Sequence, residues 1–171
     1  MGILDRLTGT KHPKEGTAVK PVPELRTALL ALNRKTAPWQ VREADTGEDC
    51  DLVVEWKIVD KAWYNVFSKS KVQSVFKILL KFDPANAEVR ALDKEWLVQW
   101  NAGVPVLTAQ GAAFRGQMNE TTYNIAWGFT ETSPLGEVIK YRFSTGEMKK
   151  PLKEAVTAAG WTYKGIVFGK L

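Results

Sequence analysis

A two-residue alternation of apolar and polar side chains recurs through the middle of this chain and constrains its fold more than any other feature. Phe76, Ile78, Leu80 and Phe82 alternate with a set that includes Lys77, Lys81 and Asp83, and the turn-forming segment 83–86 follows. Because successive side chains of a strand point to opposite faces, this pattern predicts a half-buried β-strand. Residues 89–100 are predicted to return as its antiparallel partner, which gives a long hairpin.

The segment 72–80 also fits a helix. Its apolar residues at helical spacing are Val72, Val75, Phe76, Leu79 and Leu80. The strand is preferred because Phe82 extends the alternation and because the turn sequence at 83–86 comes directly after it.

Further strands are predicted on both sides of this hairpin. They cover residues 39–43, 52–59, 104–114 and 161–168, and a second hairpin pairs 123–129 with 139–143 across a Pro/Gly turn. Short turns between successive strands favour antiparallel pairing.

One short helix is predicted near each end of the chain. Pro23 and Pro151 each precede an apolar stripe at helical spacing, while Asn33 and Gly160 are predicted to end the two helices. The fold class is therefore α+β. We expect an antiparallel, strongly curved sheet or partly open barrel of about seven to eight strands, with one short helix before the sheet and one near the C-terminus.

Composition predicts a flexible N-terminal arm over residues 1–22 and a single α+β domain over 23–171. The segment 8–23 mixes Thr, Lys and Gly with three Pro residues, so residues 1–20 are expected to be dispensable for folding. A chain of 171 residues is long enough for one core. It has no apolar stretch approaching the ~20 residues that span a bilayer. With one cysteine and no signal-peptide pattern at its start, we expect a cytoplasmic protein.

Few catalytic or cofactor chemistries fit the residue inventory. The single histidine, His12, lies beside Pro13 in the predicted arm, which disfavours histidine-dependent nucleophilic catalysis and zinc binding. No glycine pattern of a phosphate-binding loop is present, and no cofactor is predicted. Cys50 lies among carboxylates, which raise a thiol pKa and make it a poor nucleophile. The residue inventory therefore disfavours an enzyme.

The acidic segment 43–51 holds five carboxylates and suggests two interpretations. A hard cation would accept such ligands, but their spacing differs from that of an EF-hand loop. A solvated loop is therefore the preferred interpretation. A hydrolase that uses paired carboxylates is the third hypothesis. It stays open because the distance between two carboxylates in space cannot be judged from the sequence.

Charge is distributed unevenly along the chain. Residues 57–82 carry six Lys against one Asp, and 140–171 carry seven Lys or Arg against two Glu, whereas the acids outnumber the bases in 43–56. If the basic blocks share a face, they would attract nucleic acid or anionic lipid. The candidate binding residues are Lys69, Lys71, Lys77, Lys81, Trp63 and Tyr64. The preferred alternative is that these lysines lie on the solvent side of ordinary strands.

Tryptophan is abundant, with seven residues in the chain. Trp56, Trp127 and Trp161 lie on apolar faces and are predicted to be core, while Trp96 and Trp100 are candidates for lining a pocket. The leading hypothesis is a non-enzymatic binding or interaction domain that holds an apolar ligand or a protein partner on its curved sheet, and a homo-oligomer is compatible with it. The alternative is the anion-surface binder.

Overall fold

A computed structural model of the chain describes residues 8–58, 74–109, 122–125 and 141–167, together with Asp5, Asp60, Ser68 and Leu171. Across these ranges it contains two helices, α1 (Val22–Leu30) and α2 (Thr145–Ala158). The strands are β1 (Trp39–Glu43), β2 (Leu52–Trp56), β3 (Ser74–Asp83), β4 (Glu88–Asn101), β5 (Val104–Ala109), β6 (Thr122–Ile125), β7 (Tyr141–Ser144) and β8 (Thr162–Gly165). No helix in these ranges is long and apolar enough to cross a membrane.

The α+β class is confirmed, with a strongly curved sheet of half-barrel shape. Five strands follow one another in the order β1-β2-β3-β4-β5, and every neighbouring pair is antiparallel. The sixth strand, β8, pairs parallel to β4 along Glu88–Ala91, because the chain returns to the sheet through α2. The main sheet therefore has six strands in the described ranges, fewer than the seven to eight predicted.

The hairpin of β3 and β4 forms as predicted, and the helical reading of its first half is wrong. Ten consecutive residue pairs join the two strands, from Ser74 with Leu97 to Asp83 with Glu88. The side-chain amide of Asn86 donates to the Asp83 carboxylate at 2.8 Å and closes the turn. β6 and β7 form a separate pair, which confirms the second hairpin over those strands. Its predicted turn and Trp127 lie outside the described residues.

The helix boundaries agree with the predictions only in part. A proline lies in the first turn of α1 as expected, but the helix ends at Leu30 and Asn33 is not its cap. α2 begins at Thr145, so that Pro151 lies inside the helix instead of opening it. Gly160 ends α2 as predicted: its φ is 77°, and the Trp161 amide donates to the Val156 carbonyl at 3.1 Å. This is the left-handed closure that favours glycine.

Most of the main core lies between the helices and one face of the sheet, here called the helix face, and Val75 and Val98 of the opposite face also belong to it. It joins Leu25 and Leu29 of α1, Leu152 and Val156 of α2, and alternate residues of the strands. Those strand residues include Val54, Trp56, Phe76, Ile78, Leu80, Val89 and Ala91. Trp56 and Trp161 are buried, as predicted. A smaller cluster of Val53, Leu79, Leu92 and Ile166 covers part of the opposite face.

The segment predicted to be a flexible arm contacts β8 and the end of α2. The Lys11 and Tyr163 backbones exchange two hydrogen bonds, at 2.8 and 2.9 Å. The Lys20 amide donates to the Ala159 carbonyl at 2.9 Å, and the Trp161 indole donates to the Lys20 carbonyl at 2.8 Å. The mobility of this arm stays a prediction, but these contacts connect it to buried residues of the domain.

Candidate functional site

Two of the six candidate residues of the predicted basic surface can be placed in the structure. Lys77 and Lys81 lie on β3, four residues apart, and therefore on the same face, opposite the helix face. The other four candidates, Lys69, Lys71, Trp63 and Tyr64, lie outside the described residues.

Lys77 is enclosed by groups that neutralise it. Its Nζ is 2.8 Å from a Glu55 carboxylate oxygen, and both side chains are mostly buried. The same ammonium lies 5.0 Å from the centre of the Trp96 ring, within range of a cation–π contact. Lys77 is thereby held by β2 and β4 and is a poor candidate for contact with an external phosphate.

Arg42 on β1 completes this charged group. Its guanidinium donates to Glu55 at 2.8 Å and to Glu48 at 2.7 and 3.1 Å, so it connects the acidic loop with β2. The hydrogen bond from Arg42 lowers the pKa of Glu48 to about 2. Burial alone would raise the pKa of Glu55, but the hydrogen bonds from Arg42 and Lys77 outweigh it, and that pKa is lowered. Both acids are carboxylates at neutral pH.

The acidic loop 43–51 also forms ion pairs with basic side chains of β3 and α1. Lys81 contacts Asp49 at 2.5 Å, and Arg26 of α1 forms ion pairs with Glu43 and Asp51. No group of three or more potential metal ligands occurs among the described residues. The loop is solvated as predicted, since the side chains of Asp45 and Asp49 are 82% and 81% exposed, and its ion pairs also join strands and helix.

Cys50 lies in this loop and is half-buried. Burial raises the pKa of its thiol to about 11, with added effects of Glu48 and Asp51. The predicted rise is confirmed, although burial and not the neighbouring charge is its larger cause. The thiol is a poor nucleophile at neutral pH.

The two predicted pocket residues, Trp96 and Trp100, lie on the same face of β4 and pack against the main core. The Trp96 indole nitrogen is buried and has no hydrogen-bond partner within the described part of the chain. With Val75 and Val98, these rings bury this side of the sheet where it curves. Their contacts are those of core residues that support the hairpin of β4 and β5.

The other side of the hairpin of β4 and β5 is exposed and carries three apolar side chains beside three uncharged polar ones, a feature that the sequence patterns did not single out. Leu97, Val106 and Val104 are 37%, 41% and 60% exposed. In the strand register, Leu97 faces Thr108, and the valines face Gln99 and Asn101. We call Leu97, Val104 and Val106 the apolar row. It continues the helix face beyond the region that the described helices cover.

The two edges of the sheet differ. At β1, the Asn33 side chain accepts from the Val41 amide at 2.7 Å and donates to the Val41 carbonyl at 2.8 Å, so both backbone groups are occupied. At the other end, β5 pairs only with β4 within the described ranges. An edge of this kind presents backbone donors and acceptors to another strand.

A buried ion pair lies between α2 and β4. Lys149 donates to Asp93 at 2.5 Å, and the side chains are 6% and 0% exposed. Lys153, one turn further along α2, has its Nζ 5.5 Å from the centre of the Tyr163 ring. Burial, and then the Lys149 charge, lowers the pKa of Lys153, while burial and Asp93 raise the pKa of Tyr163.

Comparison with known proteins gives no relative from which a function could be transferred: no protein-family model, curated protein or solved structure shows significant similarity to the chain.

Proposed function

We propose that this protein is a non-enzymatic interaction domain that binds an extended segment of a protein partner along the hairpin of β4 and β5. The observation that supports it most is the apolar row, where Leu97, Val104 and Val106 are 37–60% exposed beside a strand edge. Strand addition at a sheet edge uses backbone hydrogen bonds for affinity and alternate side chains for specificity. This hairpin offers both.

The chemistry of the hairpin defines the partner segment. Residues 96–109 contain no charged side chain, in a chain of which 25% of residues are charged. Charged side chains commonly protect edge strands from pairing with another chain, and β1 at the opposite edge carries Arg42 and Glu43. The partner is therefore an uncharged segment with apolar residues at every second position.

The hairpin of β4 and β5 is also supported by side chains that pack on its other face. Trp96, Val98 and Trp100 pack on the side opposite the apolar row, and Lys77 covers the Trp96 ring. A surface that is ordered before binding loses less conformational entropy when a partner docks.

The alternative of an anion-binding surface receives less support. Lys77, Lys81, Lys149 and Lys164 belong to the two basic blocks, and each contacts a carboxylate within 3.0 Å. A hydrolase with paired carboxylates also receives less support, because the Arg42 guanidinium donates hydrogen bonds to both Glu48 and Glu55.

Hydrogen exchange tests the proposal. The probe is an acetylated and amidated peptide with the sequence of residues 103–109, which has the required uncharged, apolar character. We expect it to slow exchange of the β5 amides and not of the β1 amides. In a Val104→Lys/Val106→Lys variant the affinity should fall at least about tenfold, because a buried valine contributes roughly 1.5–3 kcal/mol.

Val19→Lys provides the matched control, since Val19 is 57% exposed and lies outside the hairpin. Equal peptide binding by all three proteins, or no slowing of β5 exchange in the wild type, would refute the proposal. Binding of short duplex DNA or anionic vesicles at ~50 mM salt, with loss of that binding in Lys69→Glu/Lys71→Glu, would establish the alternative instead. Binding of a small apolar dye at the hairpin without peptide binding would support an apolar ligand.

A further inference from the structure

The turn of the hairpin of β4 and β5 determines which backbone groups of β5 lie at its free edge. Ala102 and Gly103 form a two-residue loop with φ values of 49° and 83°, as in a type I′ turn. The residues that flank such a turn, Asn101 and Val104, form a pair whose backbones exchange two hydrogen bonds. Because the direction of the backbone groups alternates along a strand, every second residue of β5 from Val104 bonds to β4, and the residues between them point away from it.

Three residues of β5 therefore direct their backbone groups away from β4: Pro105, Leu107 and Ala109. Leu107 and Ala109 each offer an amide and a carbonyl, whereas Pro105 offers a carbonyl alone. The position of Pro105 agrees with this pattern, because the amide that proline lacks would face outward and the pairing with β4 stays complete. No other strand pairs with this edge within the described ranges.

β5 also has the character that the hairpin requires of its partner. Its sequence carries no charged side chain, and Val104 and Val106 place apolar side chains at alternate positions on one face. These valines are 60% and 41% exposed. A second copy that approaches with the same strand therefore brings no charge to the edge and contributes two exposed valines of its own.

We propose, on the basis of the proposed function, that the partner segment is β5 of a second copy of this chain, paired antiparallel across a twofold axis at Leu107. The Leu107 backbones of the two copies then exchange two hydrogen bonds, and each Ala109 amide donates to the partner's Pro105 carbonyl. An axis at Val106 would allow only two bonds between residues 104–109, and an axis at Pro105 none. An axis at Thr108 retains four bonds but moves the exposed valines of the two copies further apart.

This pairing ends at two copies. An antiparallel strand that pairs with itself forms an isologous interface, so each β5 edge is used by the other. At the β1 edge, the Asn33 side chain already occupies both backbone groups of Val41. Because the interface is limited to one strand and the side chains beside it, we expect a weak dimer that depends on protein concentration.

Sedimentation velocity of the full chain tests the dimer. We expect a monomer at about 1 μM and a dimer at about 200 μM, as for a small interface. Val104→Lys/Val106→Lys should weaken dimer formation at least about tenfold, because it places like charges on both sides of the axis. Val19→Lys should leave it unchanged. Raising the salt concentration from about 50 to about 500 mM should not weaken the wild-type dimer, since residues 96–109 carry no charged side chain.

Cysteine cross-linking determines the register independently of the lysine variants. In a Cys50→Ser background, Leu107→Cys should give a disulfide-linked dimer under mild oxidation. The opposed Cα atoms of such a pair lie about 5.5 Å apart, which a disulfide can span. Val104→Cys is the control, because Val104 is the more exposed residue, yet its two copies would lie about 20 Å apart.

A monomer at every concentration, a dimer that salt dissociates, or equal cross-linking of Leu107→Cys and Val104→Cys would overturn the self-pairing. The proposed function is decided separately, by hydrogen exchange with the 103–109 peptide at about 1 μM protein, where the chain is expected to be monomeric. Protection of β5 by the peptide in a chain that never dimerises would mean that the partner is a different protein. Protection of β5 together with dissociation of the dimer by the peptide would support both.

Discussion

At the scale of single residues, Arg42 holds together a group of charged side chains on one face of the sheet. Its guanidinium contacts Glu48 from the loop and Glu55 from β2, and Lys77 of β3 contacts Glu55 as well. Three elements are thus joined by charge-assisted hydrogen bonds, which are stronger than neutral ones. The same contacts remove Lys77 from the set of cations available to a ligand.

The lowered pKa of Glu48 gives a prediction about acid stability. A carboxylate whose pKa falls from 4.5 to about 2 on folding stabilises the protein above pH 4.5, and this contribution is lost as the pH falls towards 2. Glu48→Gln should therefore cost about 1 kcal/mol at pH 6 and reduce the pH dependence of unfolding between pH 5 and 2. Thermal melts across this range measure it. Glu154→Gln, on the exposed side of α2, is the control, and identical pH slopes in both variants would contradict the prediction.

Sequence alone could indicate some residue roles and not others. The alternation along β3 predicted that Lys77 and Lys81 share a face, and that agrees with the register. It could not identify their partners, since Glu55 and Asp49 are distant in the chain and approach only after the strands pair. The apolar row was hidden for the same reason: Val104 and Val106 have the pattern of buried strand residues, and their exposure depends on where the helices end.

At the scale of elements, local signals predicted most strands and misplaced two helix boundaries, the end of α1 and the start of α2. The hairpin of β3 and β4 follows from its alternation and turn, which are properties of adjacent residues. Pro151 was expected to open α2, but the helix starts at Thr145. Pro151 is the seventh residue of the helix, beyond the four whose amides need no partner, so it removes one intrahelical hydrogen bond. Packing of Met148 in the core favours the earlier start in spite of this cost.

Gly160 provides a prediction at this scale. Its φ of 77° is costly for any residue with a Cβ, and a Cβ here would collide with the Ala18 backbone. Gly160→Ala should cost about 2–3 kcal/mol, of which roughly 1 kcal/mol is conformational. Gly16→Ala is the matched control, since Gly16 has a φ of 80° but open space around it. Denaturant melts compare the two, and equal losses would show that the contact with Ala18 has no energetic weight.

At the scale of the whole molecule, the sequence could not show how the ends of the chain meet. β8 pairs parallel to β4, and the N-terminal segment pairs with β8 in turn, so residues near both ends contact each other beside the centre of the sheet. Composition described residues 1–22 by their local properties, which favour an extended chain. A long-range contact such as that between Trp161 and Lys20 leaves no periodic signal in the sequence.

These contacts change the expectation that residues 1–20 are dispensable. Their deletion would remove the backbone bonds between Lys11 and Tyr163, and it would leave the buried Trp161 indole without its acceptor at Lys20. With each hydrogen bond contributing roughly 1 kcal/mol, we expect a loss of about 3 kcal/mol. For a chain of this length the melting temperature should fall by about 10 °C.

A double-mutant cycle separates docking of the N-terminal segment from a general loss of stability. If Gly160→Ala is costly because its new Cβ meets Ala18, then deleting residues 1–20 removes that collision. The substitution should therefore cost about 2–3 kcal/mol in the full chain and only about 1 kcal/mol in the truncated one. Thermal and denaturant unfolding of the four proteins measure the coupling. An unchanged melting temperature after deletion, with the same cost of Gly160→Ala in both backgrounds, would mean that the segment is the flexible arm that its composition predicts.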